Sequence, residues 1–116
     1  ASASNQTASI NESRKIVAEG VAVTHELLAG KQVDFMTTCL EITFDGTNVT
    51  YSYLIDESYY KLADIDINVI KQNALQTYET NEDFRTFATH VKNIGGNIVY
   101  TYIGSNSSTK KIFTLF

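Results

Sequence analysis

Ile10, Val17, Val21, Thr24 and Leu28 recur at helical spacing and lay one apolar stripe along the first quarter of the chain. The spacing predicts a helix over about residues 10–29, preceded by a polar lead-in at residues 1–8. Ser9-Ile10-Asn11-Glu12 reads as a capping box, in which a hydroxyl and a carboxylate satisfy free amides at a helix start. Gly30 suits the left-handed residue that closes a helix, while Gly20 weakens its middle.

From Val33 the period shortens to two. Residues 33–44 and 48–56 are rich in Thr, Val, Ile, Tyr and Phe, and Asp45-Gly46 between them accepts the positive φ of a tight hairpin turn. Val49, Tyr51, Tyr53 and Ile55 share one face of the second strand; Thr50, Ser52 and Leu54 share the other. A loop at 57–63 carries Tyr59 and Tyr60. Asp64 or Asp66 then caps a second helix with Ile67, Ile70, Ala74 and Tyr78 inward. Asn81 caps a third, with Glu82 and Asp83 in its positive first turn and Phe84, Phe87, Ala88 and Val91 as its stripe. Gly95-Gly96 stops it, and residues 97–103 and 110–116 form a closing hairpin.

The expected fold is α+β: a single domain over 9–116 in the order α-β-β-α-α-β-β, an antiparallel four-stranded sheet with helices packed on one face. A local echo accompanies it. Residues 46–54 match residues 95–103 at Gly46/Gly95, Asn48/Asn97, Tyr51/Tyr100 and Tyr53/Tyr102, which reads as two similar turn-strand entries rather than a duplicated domain.

Composition narrows the class. A chain of 116 residues fits one domain, and seven Tyr and six Phe within 43% hydrophobic residues supply a core dense enough to exclude disorder. The net charge is −4, with two Arg and no basic cluster beyond Lys110-Lys111, which argues against nucleic acid and against anionic membrane surfaces. No apolar run approaches the roughly 18 residues of a membrane span. The lone Cys39 forms no internal disulfide. Ala1 to Thr7, small and polar, reads either as the stretch that follows an export signal, with a lipid anchor upstream of residue 1, or as a trimmed boundary.

The candidate chemistry is thin. His25-Glu26 begins an H-E-x-x-H motif, but Ala29 stands where the second imidazole is needed, so no metal site is expected. His90 sits where a helix C-terminus favours a cation, and Cys39 lies inside a predicted strand, where a thiol acts as a small hydrophobe. Asp56-Glu57, Asp64/Asp66 and Glu82-Asp83 fall at strand ends and helix starts, where capping accounts for them. Neither a nucleophile elbow nor a phosphate-binding or dinucleotide-binding glycine loop occurs. No catalytic residue, cofactor or metal is expected. Tyr51, Tyr53, Tyr100 and Tyr102 form either an aromatic platform or packed core, with core preferred for want of basic neighbours. Tyr59 and Tyr60 are the better candidates for an exposed partner contact.

The rhythm of residues 33–56, followed by Thr80-Asn81-Glu82-Asp83-Phe84-Arg85 and the segment 95–104, resembles small exported bacterial α+β proteins of uncharacterised function. More loosely, it is similar to the α/β class of type II secretion pilotins. That resemblance spans about residues 10–116, and it implies an envelope lipoprotein that binds a helical segment of a secretin subunit, with no catalytic residue carried over. This chain lacks the paired cysteines some pilotins carry. The expectation is therefore a non-enzymatic exported domain of the periplasm or outer envelope that acts by binding another protein. The alternative is an inhibitor or immunity-type module that blocks a partner enzyme with loop 56–63 or 104–109.

Overall fold

The computed structural model describes the chain from Ser2, with side chains from Ser9 onward, so the side chains of the polar lead-in fall outside the described residues. The elements run α1 (Ser2–Leu28), β1 (Gln32–Asp34), β2 (Thr37–Phe44), β3 (Val49–Ile55), a 3-10 turn (Leu62–Asp64), α2 (Ile67–Thr80), α3 (Glu82–Asn93), β4 (Ile98–Gly104) and β5 (Lys110–Thr114). The α+β class holds, but the sheet corrects the expectation. It has five strands in the order β1-β2-β3-β4-β5, and β3 pairs with β4 in parallel.

α1 is longer than its apolar stripe predicts, and Ser9 and Glu12 stand inside it rather than at its cap. Val17 and Val21 bury the stripe. Gly20 has a packing reason: a Cβ there would lie 3.0 Å from the Phe87 ring, so its absence lets α3 approach α1 closely. Gly30, at φ 80°, ends the helix as expected and donates its N–H to the Cys39 carbonyl.

The fifth strand arises because the segment 33–44 breaks. Asp34 Oδ1 accepts the Met36 N–H at 3.0 Å, an Asx turn that folds β1 back onto β2. Strand propensity is blind to that side-chain bond. The β2–β3 hairpin forms as expected, with Gly46 at φ 98° and Asp45 Oδ1 accepting from Thr47 N and Asn48 N. A bulge at Leu40 shifts its register between Cys39 and Glu41.

The parallel pair explains the echo. Strands running the same way need a crossover, and α2 and α3 carry the chain from the end of β3 back beside its start. There Asn97 N donates to Asn48 Oδ1 at 2.9 Å, and Val49 N donates to the Asn97 carbonyl at 3.0 Å. The register then sets Tyr51 opposite Tyr100 and Tyr53 opposite Tyr102. Two similar segments lie side by side, in step. Gly96 is needed at this junction, because a Cβ would clash with the Thr47 carbonyl oxygen.

Of the two aspartates that could cap α2, Asp66 does so, accepting from Asn68 N, while Asn81 caps α3 as expected, accepting from Phe84 N. Ala88 and Val91 of α3 are buried against the sheet core of Val49, Ile55, Ile98 and Leu115. α2 is different. Ile67, Ile70, Ala74, Leu75 and Tyr78 reach the core only in part, and no α2 residue is buried.

Candidate functional site

Tyr59 and Tyr60 lie in the loop after β3 and are 56% and 60% exposed. The sequence pattern missed their neighbour Phe35, which it placed within a strand. The Asx turn at Asp34 instead carries Phe35 to the tip of the β1–β2 turn, where it is 60% exposed and meets Tyr59 edge to face at 5.2 Å. A side-chain acceptor two residues before Met36 was the available signal. The Asp56 N–H donates to the Met36 carbonyl at 2.8 Å and couples the two turns. Phe35 and Tyr59 form an exposed aromatic pair, termed with Tyr60 the aromatic end, and Val33, close to Phe35 in sequence, is also exposed.

The loop beneath the tyrosines is held from both sides. Asp56 Oδ1 accepts from the Ser58 N–H and hydroxyl. The Glu57 carboxylate accepts the Leu62 N–H through one oxygen and the Asn106 N–H through the other, each at 2.9 Å, while Glu57 N donates to Ser105 Oγ. Leu62 is fully buried and pins the far end. Lys111 Nζ donates to the carbonyls of Ala63 and Ile65. One carboxylate therefore locks the loop at 56–63 to the β4–β5 turn. The donated bonds hold the Glu57 carboxyl below its ordinary pKa, chiefly those from Leu62 and Asn106; the Ser58 bonds do the same for Asp56. A cleft of about 400 Å³ opens beside this lock, lined by Glu57, Lys61 and Asn106 among others.

The scarce histidines and the thiol go separate ways. His25 Nδ1 accepts the Ile42 N–H at 3.1 Å, beside the β2 bulge. His90 Nδ1 lies 2.9 Å from Ser13 Oγ, which also accepts from Asn93 Nδ2 at 2.8 Å. This Ser13–His90–Asn93 cluster was not foreseen, since Ser13 and His90 are 77 residues apart. Ser13 is buried within α1, its hydroxyl bridges α1 to α3, and an open cleft of about 460 Å³ lined by Ser9, Ser13, His90 and Asn93 among others adjoins the cluster. Cys39 is buried, and burial raises its thiol pKa. Among the described residues, no three His, Cys, Asp or Glu side chains are grouped to hold a metal ion. No helix among them is long and apolar enough to cross a membrane.

The four strand tyrosines stand on the helix-covered face. Tyr51 stacks on Tyr100 at 5.4 Å, Tyr100 on Phe113 at 4.7 Å, and Tyr53 on Tyr102 at 5.0 Å. Their faces are thus taken up by one another, which removes the platform on which a base or sugar would stack. Edges and hydroxyls are left for the space under α2. Burial pushes the Tyr51 and Tyr102 hydroxyls up to about 12, and those of Tyr53 and Tyr100 higher, so all four are neutral.

No family model and no curated protein matches the sequence. Among solved structures, the fold is similar to that of a Pseudomonas aeruginosa protein provisionally described as secreted. The TM-score is 0.65 over 90% of this chain and 91% of that one, at 9% sequence identity. At that identity the likeness is one of fold. It lends no support to the pilotin resemblance.

Proposed function

We propose that this chain is a non-enzymatic binding domain that engages another protein through the aromatic end formed by Phe35, Tyr59 and Tyr60. The observation that carries the reading is the exposure of Phe35 and Tyr59 while they are packed against each other on two coupled turns. Aromatic side chains concentrate binding energy at protein interfaces, and anchors held rigid before contact lose little entropy on docking. Export to the periplasm or outer envelope belongs to the same reading, and the likeness to a protein provisionally described as secreted supports it.

A narrower version is favoured by a separate observation. Loop 56–63 and the turn around Asn106 are fastened together by Glu57, which is the rigidity an inhibitor needs to hold a loop in an enzyme's cleft.

The test is capture of partners from the host's envelope fraction on immobilised protein. A partner held by the wild type and lost by Tyr59→Ala/Tyr60→Ala, with melting temperature unchanged, supports the reading. Equal capture by the double variant, or no specific capture by the wild type, overturns it.

A further inference from the structure

Under α2 the packing is left open. A cleft of about 350 Å³ lies between α2, the end of α1 and the tyrosine face, within the size range of small-molecule sites, roughly 300–1,000 Å³. It continues into a second section of about 260 Å³ that shares Tyr53, Tyr102, Ile70 and Asn73 and reaches Val33 at its other end. Tyr51, Tyr100 and Tyr102 on the floor are only 8–9% exposed. Their hydroxyls have no protein hydrogen-bond partner among the described residues. No buried side-chain oxygen there is left unsatisfied, so these hydroxyls face the cleft rather than closed protein.

The walls define what fits. Leu28, Ile70, Ala74 and Phe84 make the roof and sides apolar, with Asn73 and Thr77 as neutral polar neighbours. Among the residues lining both sections, the one formal charge is Asp34. A buried ion without a partner is strongly disfavoured, and nothing here pairs an anion.

We propose that this cleft binds a small amphiphile that carries no negative charge, its aliphatic part against α2 and a hydroxyl or amide group hydrogen-bonded to the tyrosine hydroxyls. Its lining includes none of Phe35, Tyr59 and Tyr60, although the second section reaches Val33, close to Phe35 in sequence. It also accounts for a helix of 14 residues that closes over an aromatic floor without burying one of its own side chains. The ligand fills the volume that α2 leaves empty and supplies the partner that the hydroxyls lack.

The test is a titration of protein carrying 13C-labelled tyrosine rings with 1-octanol and, separately, with octanoate at neutral pH, followed by NMR. Saturable shifts at Tyr51, Tyr53, Tyr100 and Tyr102, with Tyr59 and Tyr60 unmoved, are expected for 1-octanol, and binding at least about tenfold weaker for octanoate. Tyr102→Phe keeps the ring stack and removes one hydroxyl, and it should weaken 1-octanol about three- to tenfold. Ala74→Trp should abolish binding by filling the cleft. No saturable shift, equal binding of the carboxylate, or full affinity in Tyr102→Phe would each overturn the proposal. So would shifts of the same rings that follow protein concentration alone, since a second copy of the chain would then be the occupant.

Discussion

Tyr51 of β3 and Tyr100 of β4 stand opposite one another across the parallel pair, their rings 5.4 Å apart and 12° from coplanar stacking. Phe113 of β5 extends the stack at 4.7 Å from Tyr100. Tyr100 is thus the middle ring of three. Truncating it leaves a void flanked by two unsupported aromatics, so Tyr100→Ala should cost about 3–5 kcal/mol in chemical denaturation. Tyr100→Phe should fall within about 1 kcal/mol, because the hydroxyl it removes holds no protein partner among the described residues.

Gly96 is the second point at which the parallel pair is fixed. A methyl group there meets the Thr47 carbonyl, a backbone atom that cannot turn aside. Gly96→Ala should therefore reach or exceed the upper end of the about 1–3 kcal/mol typical of overpacking. Thermal denaturation of this variant against Gly96→Ser and wild type checks it; a change under about 0.5 kcal/mol would mean the junction is wrongly described.

Acid should loosen the loops before the core. Asp45, Asp56 and Glu57 all have carboxyl pKa values depressed by the hydrogen bonds they accept. A depressed folded-state pKa contributes stability above the unfolded value, about 4, and that contribution is lost as pH falls through the folded value. Melting temperature should hold between pH 7 and 5 and decline below about pH 4. Glu57→Gln should melt lower than wild type at pH 7, and the gap should narrow as the wild-type carboxylate protonates.

Cys39 offers a check on the reading without catalysis. It is buried, and its thiol is pushed towards the protonated form. A thiol reagent such as Ellman's should react with native protein no faster than the chain opens, and fully in denaturant. Rapid modification of the native state would mark an accessible, activated thiol.

Local chemistry was legible at several single residues, though the capping box read at Ser9 and Glu12 lies inside α1. Asp66 and Asn81 cap helices, Gly30 and Gly46 take positive φ, and Asp45-Gly46 turns a hairpin. What the sequence pattern hid depends on distant pairing. The echo of residues 46–54 in 95–103 placed identical residues at matching offsets, yet only the path of α2 and α3 decides that they lie parallel. The split of β1 from β2 turned on one carboxylate, and with it Phe35 moved from strand to surface. The exposure of Tyr59 and Tyr60 was legible because loop position implies it; the cleft under α2 was not, since periodicity marks which side of a helix is apolar and not how closely it seats. The Ser13–His90 bond likewise needs α1 and α3 to be neighbours before it can be imagined.

A photo-crosslinking amino acid placed at Tyr59 and, separately, at exposed Ile112 on the β5 edge would test the binding surface most directly in the host. One discrete adduct at position 59, absent at position 112, is the predicted result. An adduct at 112 with none at 59 would move the contact to the opposite sheet edge and contradict the role assigned to Phe35, Tyr59 and Tyr60.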